Sequence, residues 1–232
     1  MADAGAQIGT VVEVPVYEVT AELRFPGDAR IPSWRAELQQ KIRSEYPNLL
    51  VPHAKPGEAP AMQHFRFANE AGTRSVDVAI HSLAVVTREY PGWRSFRNDV
   101  LTYWGLLRAG LGVQRLTRLG LKYVNRFPDL ASLSIGNRGL YGVWTDSPRY
   151  HRSVTVVNAD AVQLIVNLEI PEGGSPVTVD LDAFRQDFRA EEVENILEEL
   201  HSVVEAEFAA VAGAQLAARL GIRQGGDHGC QS

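Results

Sequence analysis

A single cysteine in 232 residues, Cys230, rules out an internal disulfide and a cysteine-based zinc site. It sits in the stretch 224–232, Gln-Gly-Gly-Asp-His-Gly-Cys-Gln-Ser, which has the composition of a disordered tail. His228 beside it offers at best a weak metal pair. No apolar run reaches the length of a membrane-spanning helix. Residues 1–10 contain no Lys or Arg and no long apolar run, so they lack the form of a signal peptide. These absences give an expected location in the cytoplasm, with no membrane partner. The phosphate-cradling patterns Gly-x-x-x-x-Gly-Lys-Ser/Thr and Gly-x-Gly-x-x-Gly are missing. So are the His-Glu-x-x-His zinc motif and the Gly-x-Ser-x-Gly nucleophile elbow. No cofactor and no metal are therefore implied, and the common nucleotide, zinc and serine-hydrolase classes lose support.

Composition is that of a globular chain, with 45% hydrophobic and 22% charged residues. The net charge of −5 argues against a dedicated nucleic-acid binder. Charge is unevenly spread. Residues 88–126 hold eight Lys and Arg against two Asp and Glu, whereas 180–207 hold ten Asp and Glu against two Arg. The basic middle would then face either an anionic ligand or the acidic C-terminal helix, and the second is favoured. The preference for Arg over Lys suggests a GC-rich bacterial genome.

Periodicity gives the elements. Tyr17, Val19, Ala21, Leu23 and Phe25 alternate with polar residues, the pattern of a strand with one buried face over 11–25. Its valines change phase at Pro15, which predicts a bulge. Ser33 reads as the cap of a helix carrying Trp34, Leu38, Ile42 and Tyr46. Residues 51–61 read as a loop. Strands follow at 62–67 and 76–88, joined by a hairpin loop at 69–73. A second helix carries Trp93, Phe96, Val100, Leu101, Trp104 and Leu107 and closes at Gly110 and Gly112. A strand at 116–127 precedes an irregular stretch, 129–148. A hairpin or one long strand at 153–170 and a short strand at 177–181 come next. A long amphipathic helix spans 191–220, with Gly213 as a bend. The fold class is thus α+β: a largely antiparallel sheet built from two loose β-α-β-β-like halves, with a long C-terminal helix packed on it. One domain covers 1–223, and 224–232 form the disordered tail.

Three polar sets remain. Glu18, Glu22 and Arg24 share one face of the opening strand. The carboxylates lie about 13 Å apart along it, too far to share a proton, and cross-strand ion pairs are the simple expectation. The sharper one is a pocket between sheet and helices with Glu18 or Glu22 as general base. Tyr123 and Asn125 share a face of the strand ending in Arg126 and Phe127. His64 and His81 could meet across a hairpin, and His201 reads as a border residue of the last helix. Trp144, beside Tyr141 in a Gly-rich stretch, is a candidate binding aromatic.

The segment 14–25, Val-Pro-Val-Tyr-Glu-Val-Thr-Ala-Glu-Leu-Arg-Phe, resembles the opening strand of a sporadically distributed family of uncharacterised bacterial proteins. The segment 119–126, Leu-Gly-Leu-Lys-Tyr-Val-Asn-Arg, resembles that family's mid-chain hydrophobic-Arg-Tyr-hydrophobic-Asn-Arg run, with Lys122 in place of Arg. Val179-Asp-Leu-Asp182, then Leu197, Leu200, His201 and Phe208, resemble its C-terminal strand and helix. The resemblance implies no established activity. The family's patchy distribution implies genes of defence, toxin–antitoxin-like or biosynthetic loci.

Two functional expectations follow. The leading one is a non-catalytic binding or accessory protein that holds a protein partner or a small apolar or anionic ligand through Arg24, Asn125, Arg126 and Trp144. A homodimer through the C-terminal helix is part of it. The alternative is a metal-free enzyme using Glu18, Glu22, His81 and Tyr123 as acid–base groups, which requires those side chains to converge. A nucleic-acid surface would need Arg94, Arg97, Arg108, Arg115 and Arg118 together on one open face.

Overall fold

The structure, a computed structural model, describes residues 15–51, 64–129, 133 and 151–212. It is α+β. Nine strands form one antiparallel sheet in the order β2-β3-β4-β5-β1-β6-β9-β8-β7. The strands are β1 (Val16–Arg24), β2 (Asn48–Leu50), β3 (Phe65–Ala68), β4 (Arg74–Ala79), β5 (Ser82–Thr87), β6 (Arg115–Phe127), β7 (His151–Ala159), β8 (Val162–Ile170) and β9 (Val177–Arg189). The helices are α1 (Ile31–Ile42), α2 (Trp93–Leu111) and α3 (Val193–Val211). None of the described helices is long and apolar enough to cross a membrane.

Period-two alternation decides which face is covered. Val19, Ala21 and Leu23 of β1 stand opposite Tyr123, Leu121 and Leu119 of β6, and Leu121 and Tyr123 stand opposite Ala183 and Leu181 of β9. All are buried beneath the helices. The helical stripes complete the core. Phe96, Val100, Trp104 and Leu107 of α2, and Ile196, Leu197, Leu200 and Val204 of α3, are buried at helical spacing. The charged residues of α2 and α3 meet each other: Arg97 pairs with Glu194 and Glu198. The basic middle of the chain does face the acidic helix there. The alternate residues of the strands lie on a second face that no described helix covers.

The two halves share a path. Each opens with a central strand, β1 or β6, then runs a three-stranded meander back toward it, β3-β4-β5 or β7-β8-β9, and ends in a helix, α2 or α3. The central strands pair antiparallel around Ala21 and Leu121. Both leave the sheet with the same tripeptide, Arg24-Phe25-Pro26 and Arg126-Phe127-Pro128.

Several local expectations are corrected. Residues 76–88 are not one strand but the hairpin β4–β5, turning at Ile80 and His81. Hydrophobic alternation continues through the turn, which hid it. β2 ends just before the expected loop at 51–61, in residues to which no element was assigned. β9 is a 13-residue strand rather than a short one, because Asp180 and Asp182 belong to its open face. α1 starts at Ile31 with Pro32 in its first turn and no side-chain cap, so Ser33 is inside the helix. The bulge at the start of β1 is present as a register shift between Val16 and Glu18, where the Arg126 N–H donates to the carbonyl of Pro15. Trp144, Gly213 and the stretch 224–232 lie outside the described residues.

Candidate functional site

On the open face, strand register aligns side chains in rows across the sheet. One row runs Leu50, Arg66, Asp77, Ala84, Glu22, Gly120, Phe184 from β2 to β9. A second runs Ala68, Ser75, Val86, Thr20, Lys122, Asp182, Ile165, Val156 from β3 to β7. Small residues, Ala84 and Gly120 in the first row and Ala68, Ser75 and Thr20 in the second, stand among the charged ones. The result is a concavity of about 560 Å³ over β1, β3, β4, β5 and β6, a size typical of small-molecule sites. It lies on the face away from the helices, so the expected pocket between sheet and helices is corrected in its placement.

Arg118 forms the floor. Its guanidinium lies along the strand over Gly120, where a Cβ would come within 2.4 Å of Nη1. From there Nη2 donates to both carboxylate oxygens of Asp182 at 3.0 Å, and Nη1 donates to Glu22 at 3.1 Å. The Phe184 ring backs it, with the guanidinium carbon 4.6 Å from the ring centre. Burial pushes the Asp182 carboxyl above the ordinary carboxylate range; Arg118 opposes that push and Asp180 adds to it.

Above this floor the charges are layered. Arg24 pairs with Glu22, Arg66 with Asp77, Arg88 with Glu18, and Lys122 with Asp180. In each pair the cation is the more exposed partner: 47% against 27%, 40% against 13%, 50% against 24%, and 41% against 17%. A molecule approaching the concavity meets cationic tips first and carboxylates beneath them. One carboxylate oxygen, Oδ1 of Asp180, is buried with no hydrogen-bond partner.

Of the residues singled out by sequence, Glu18, Glu22 and Arg24 line this concavity together. Arg126 lies further along the same face, its guanidinium stacked 3.5 Å from the centre of the Tyr17 ring. Tyr123 and Asn125 are on the helix-covered side. Tyr123 is hydrogen-bonded to Tyr90 at 3.0 Å and lies 3.4 Å from Nδ1 of His201. Burial pushes its phenol well above the ordinary range. Asn125 is fully buried and donates to the carbonyl of Val179, with Oδ1 unpartnered. His81 is exposed in the β4–β5 turn, away from a cross-strand position with His64. The four acid–base candidates thus divide into a pair in the concavity, one side chain in a turn and one in the core.

His201 is half-buried at the border of the α3 stripe. Its ring stacks on Trp93 at 3.9 Å between centres, and the Trp93 indole N–H donates to Glu198. Arg66, Arg88 and Asp182 were not anticipated as site residues, and Arg118 was named only as part of a nucleic-acid surface. The signal was the alternation of β6 and β9, which places Arg118, Lys122, Asp180 and Asp182 in one phase. The basic set is split as well. Arg118 is on the sheet floor, Arg97 joins α2 to α3, and Arg115 pairs with Asp187. Among the described residues no group of His, Cys, Asp and Glu is arranged to hold a metal ion. No protein-family model, no curated protein and no solved structure matches the chain.

Proposed function

We propose that this is a cytoplasmic binding protein whose open-face concavity takes an anionic group, presented by a small molecule or by a segment of a partner protein. The observation that carries this reading is the layering of charge, with Arg24, Arg66, Arg88 and Lys122 outermost over a bed of carboxylates. An incoming anion exchanges places with carboxylates already paired, so its guanidinium partners are oriented before it arrives. The segments that resemble the bacterial family include parts of β1 and β6, the two strands under the centre of the concavity. The acid–base reading is less well supported. Glu18 and Glu22 are engaged by Arg88, Arg24 and Arg118, and neither Tyr123 nor His81 reaches them.

Native mass spectrometry of the protein from its producing cells, followed by calorimetric titration with phosphate, citrate and a poly-glutamate peptide, tests this. A retained anionic mass, or binding abolished in the Arg24→Ala/Arg88→Ala double variant, supports it. Absence of binding by all three probes together with no retained mass refutes it.

A further inference from the structure

The two ends of the sheet differ. β2 is an edge of three residues, too short to template another strand. β7 is nine residues long, and among the described residues it pairs only with β8. It carries no proline. Two of its open-face side chains, Val154 and Val156, are 56% and 59% exposed, the most exposed of the large hydrophobic residues described. A long edge strand with apolar side chains in water is the arrangement that monomeric sheet proteins avoid. The apolar stripe of α3, by contrast, is buried against β9 and β6.

We propose that β7 pairs antiparallel with β7 of a second copy of this chain, about a two-fold axis at Thr155. The strand is self-complementary in that register. Val154 meets Val156 of the second copy, twice over, on the open face, and Ser153 meets Val157 on the other. Arg152 stands opposite Asn158 of the second copy and diagonal to Asp160, in the turn after the strand, so each end gains one attractive pair. A parallel register would instead set Arg152 beside Arg152. The antiparallel pairing satisfies both edges at once and closes the assembly as a dimer. The sheet becomes one of eighteen strands, with the two concavities on one continuous face.

Sedimentation equilibrium of the full chain, alongside the Val154→Lys/Val156→Lys variant, decides it. Both valines point into solvent within one chain, so the variant is expected to stay folded and to lose only the concentration-dependent part of the melting temperature that the dimer confers. The expected result is the mass of two chains for the unaltered protein and of one for the variant. A monomer at the highest concentration at which the protein stays in solution, or a dimer indifferent to the two lysines, overturns the proposal. A second arm places Cys at Thr155 in a Cys230→Ser background. Oxidation to a covalent dimer with retained fold is expected, and failure to crosslink while a dimer persists excludes this register.

Discussion

Arg118 shows how much one residue's position depends on its neighbour's lack of a side chain. Gly120 leaves the bed in which the guanidinium lies, and both are needed for Asp182 and Glu22 to be satisfied. Replacing Arg118 by Met keeps the stem and removes the charge. Urea unfolding should then show a loss of about 1–3 kcal/mol, since two partly buried carboxylates lose a charged donor. Adding Asp182→Asn should recover part of that loss. His201 gives a prediction in pH. Burial holds its imidazole below the ordinary 6.5, against the pull of Glu205 and Glu198 on its own helix; Trp93 and Tyr123 face it from α2 and β6. Because the folded state resists the proton, the unfolded chain binds more protons below about pH 6.5. Stability contributed by the neutral ring is therefore lost as pH falls from 7 toward 5, and His201→Gln should flatten that part of a urea-midpoint profile. Asp182, with its folded carboxyl raised by burial, acts with the opposite sign nearer the carboxylate range.

At the scale of the element, α2 carries the sharpest steric claim. A Cβ at Gly110 would sit 2.2 Å from the indole nitrogen of Trp34, which is buried and cannot swing away. Helix propensity favours Ala over Gly by about 1 kcal/mol, whereas overpacking costs roughly 1–3 kcal/mol. Gly110→Ala should therefore destabilise, read as a lower melting temperature, where an ordinary helical glycine would be improved. Such close approaches are invisible in the sequence, where Gly110 reads only as a stop signal. The helices were legible because their stripes repeat at 3.6 residues, and β1 because its alternation is strict. The β4–β5 turn was not, since Ile80 and His81 carry none of the usual turn residues. For the site, Glu18, Glu22 and Arg24 could be grouped from one strand alone. The residues that stand around them, Arg66, Arg118 and Asp182, come from three other strands and Arg88 from just past the end of β5, and register across a sheet is set by pairing that no local pattern encodes.

For the whole molecule, the sum of charge misleads and its layering informs. The chain is net negative, yet its concavity offers four outward cations. Binding of an anionic probe should weaken as salt rises from 0.05 to 0.5 M, because the screening length of exposed charges falls from about 14 Å to about 4 Å. The melting temperature should change little over the same range, because surface ion pairs each contribute roughly 0–1 kcal/mol. Calorimetry and thermal scans on the same samples separate the two responses. The shared path of the halves was legible only in outline. The tripeptide Arg-Phe-Pro at the ends of β1 and β6 marks it, but three residues in a row are too few to register as a repeat.

The seam between β1 and β6 has a consequence for synthesis on the ribosome. β1 emerges first, yet one of its two neighbours, β6, lies about a hundred residues later. Residues through Thr87 already supply β1 to β5, a five-stranded sheet that can assemble while translation continues, with β1 as its outermost strand. At ribosomal elongation speeds of roughly 5–20 residues per second, that strand waits seconds for its second partner. The alternating charges of Glu18, Glu22 and Arg24 line it throughout that interval, so the residues that later shape the concavity first serve to keep a nascent edge from joining another chain.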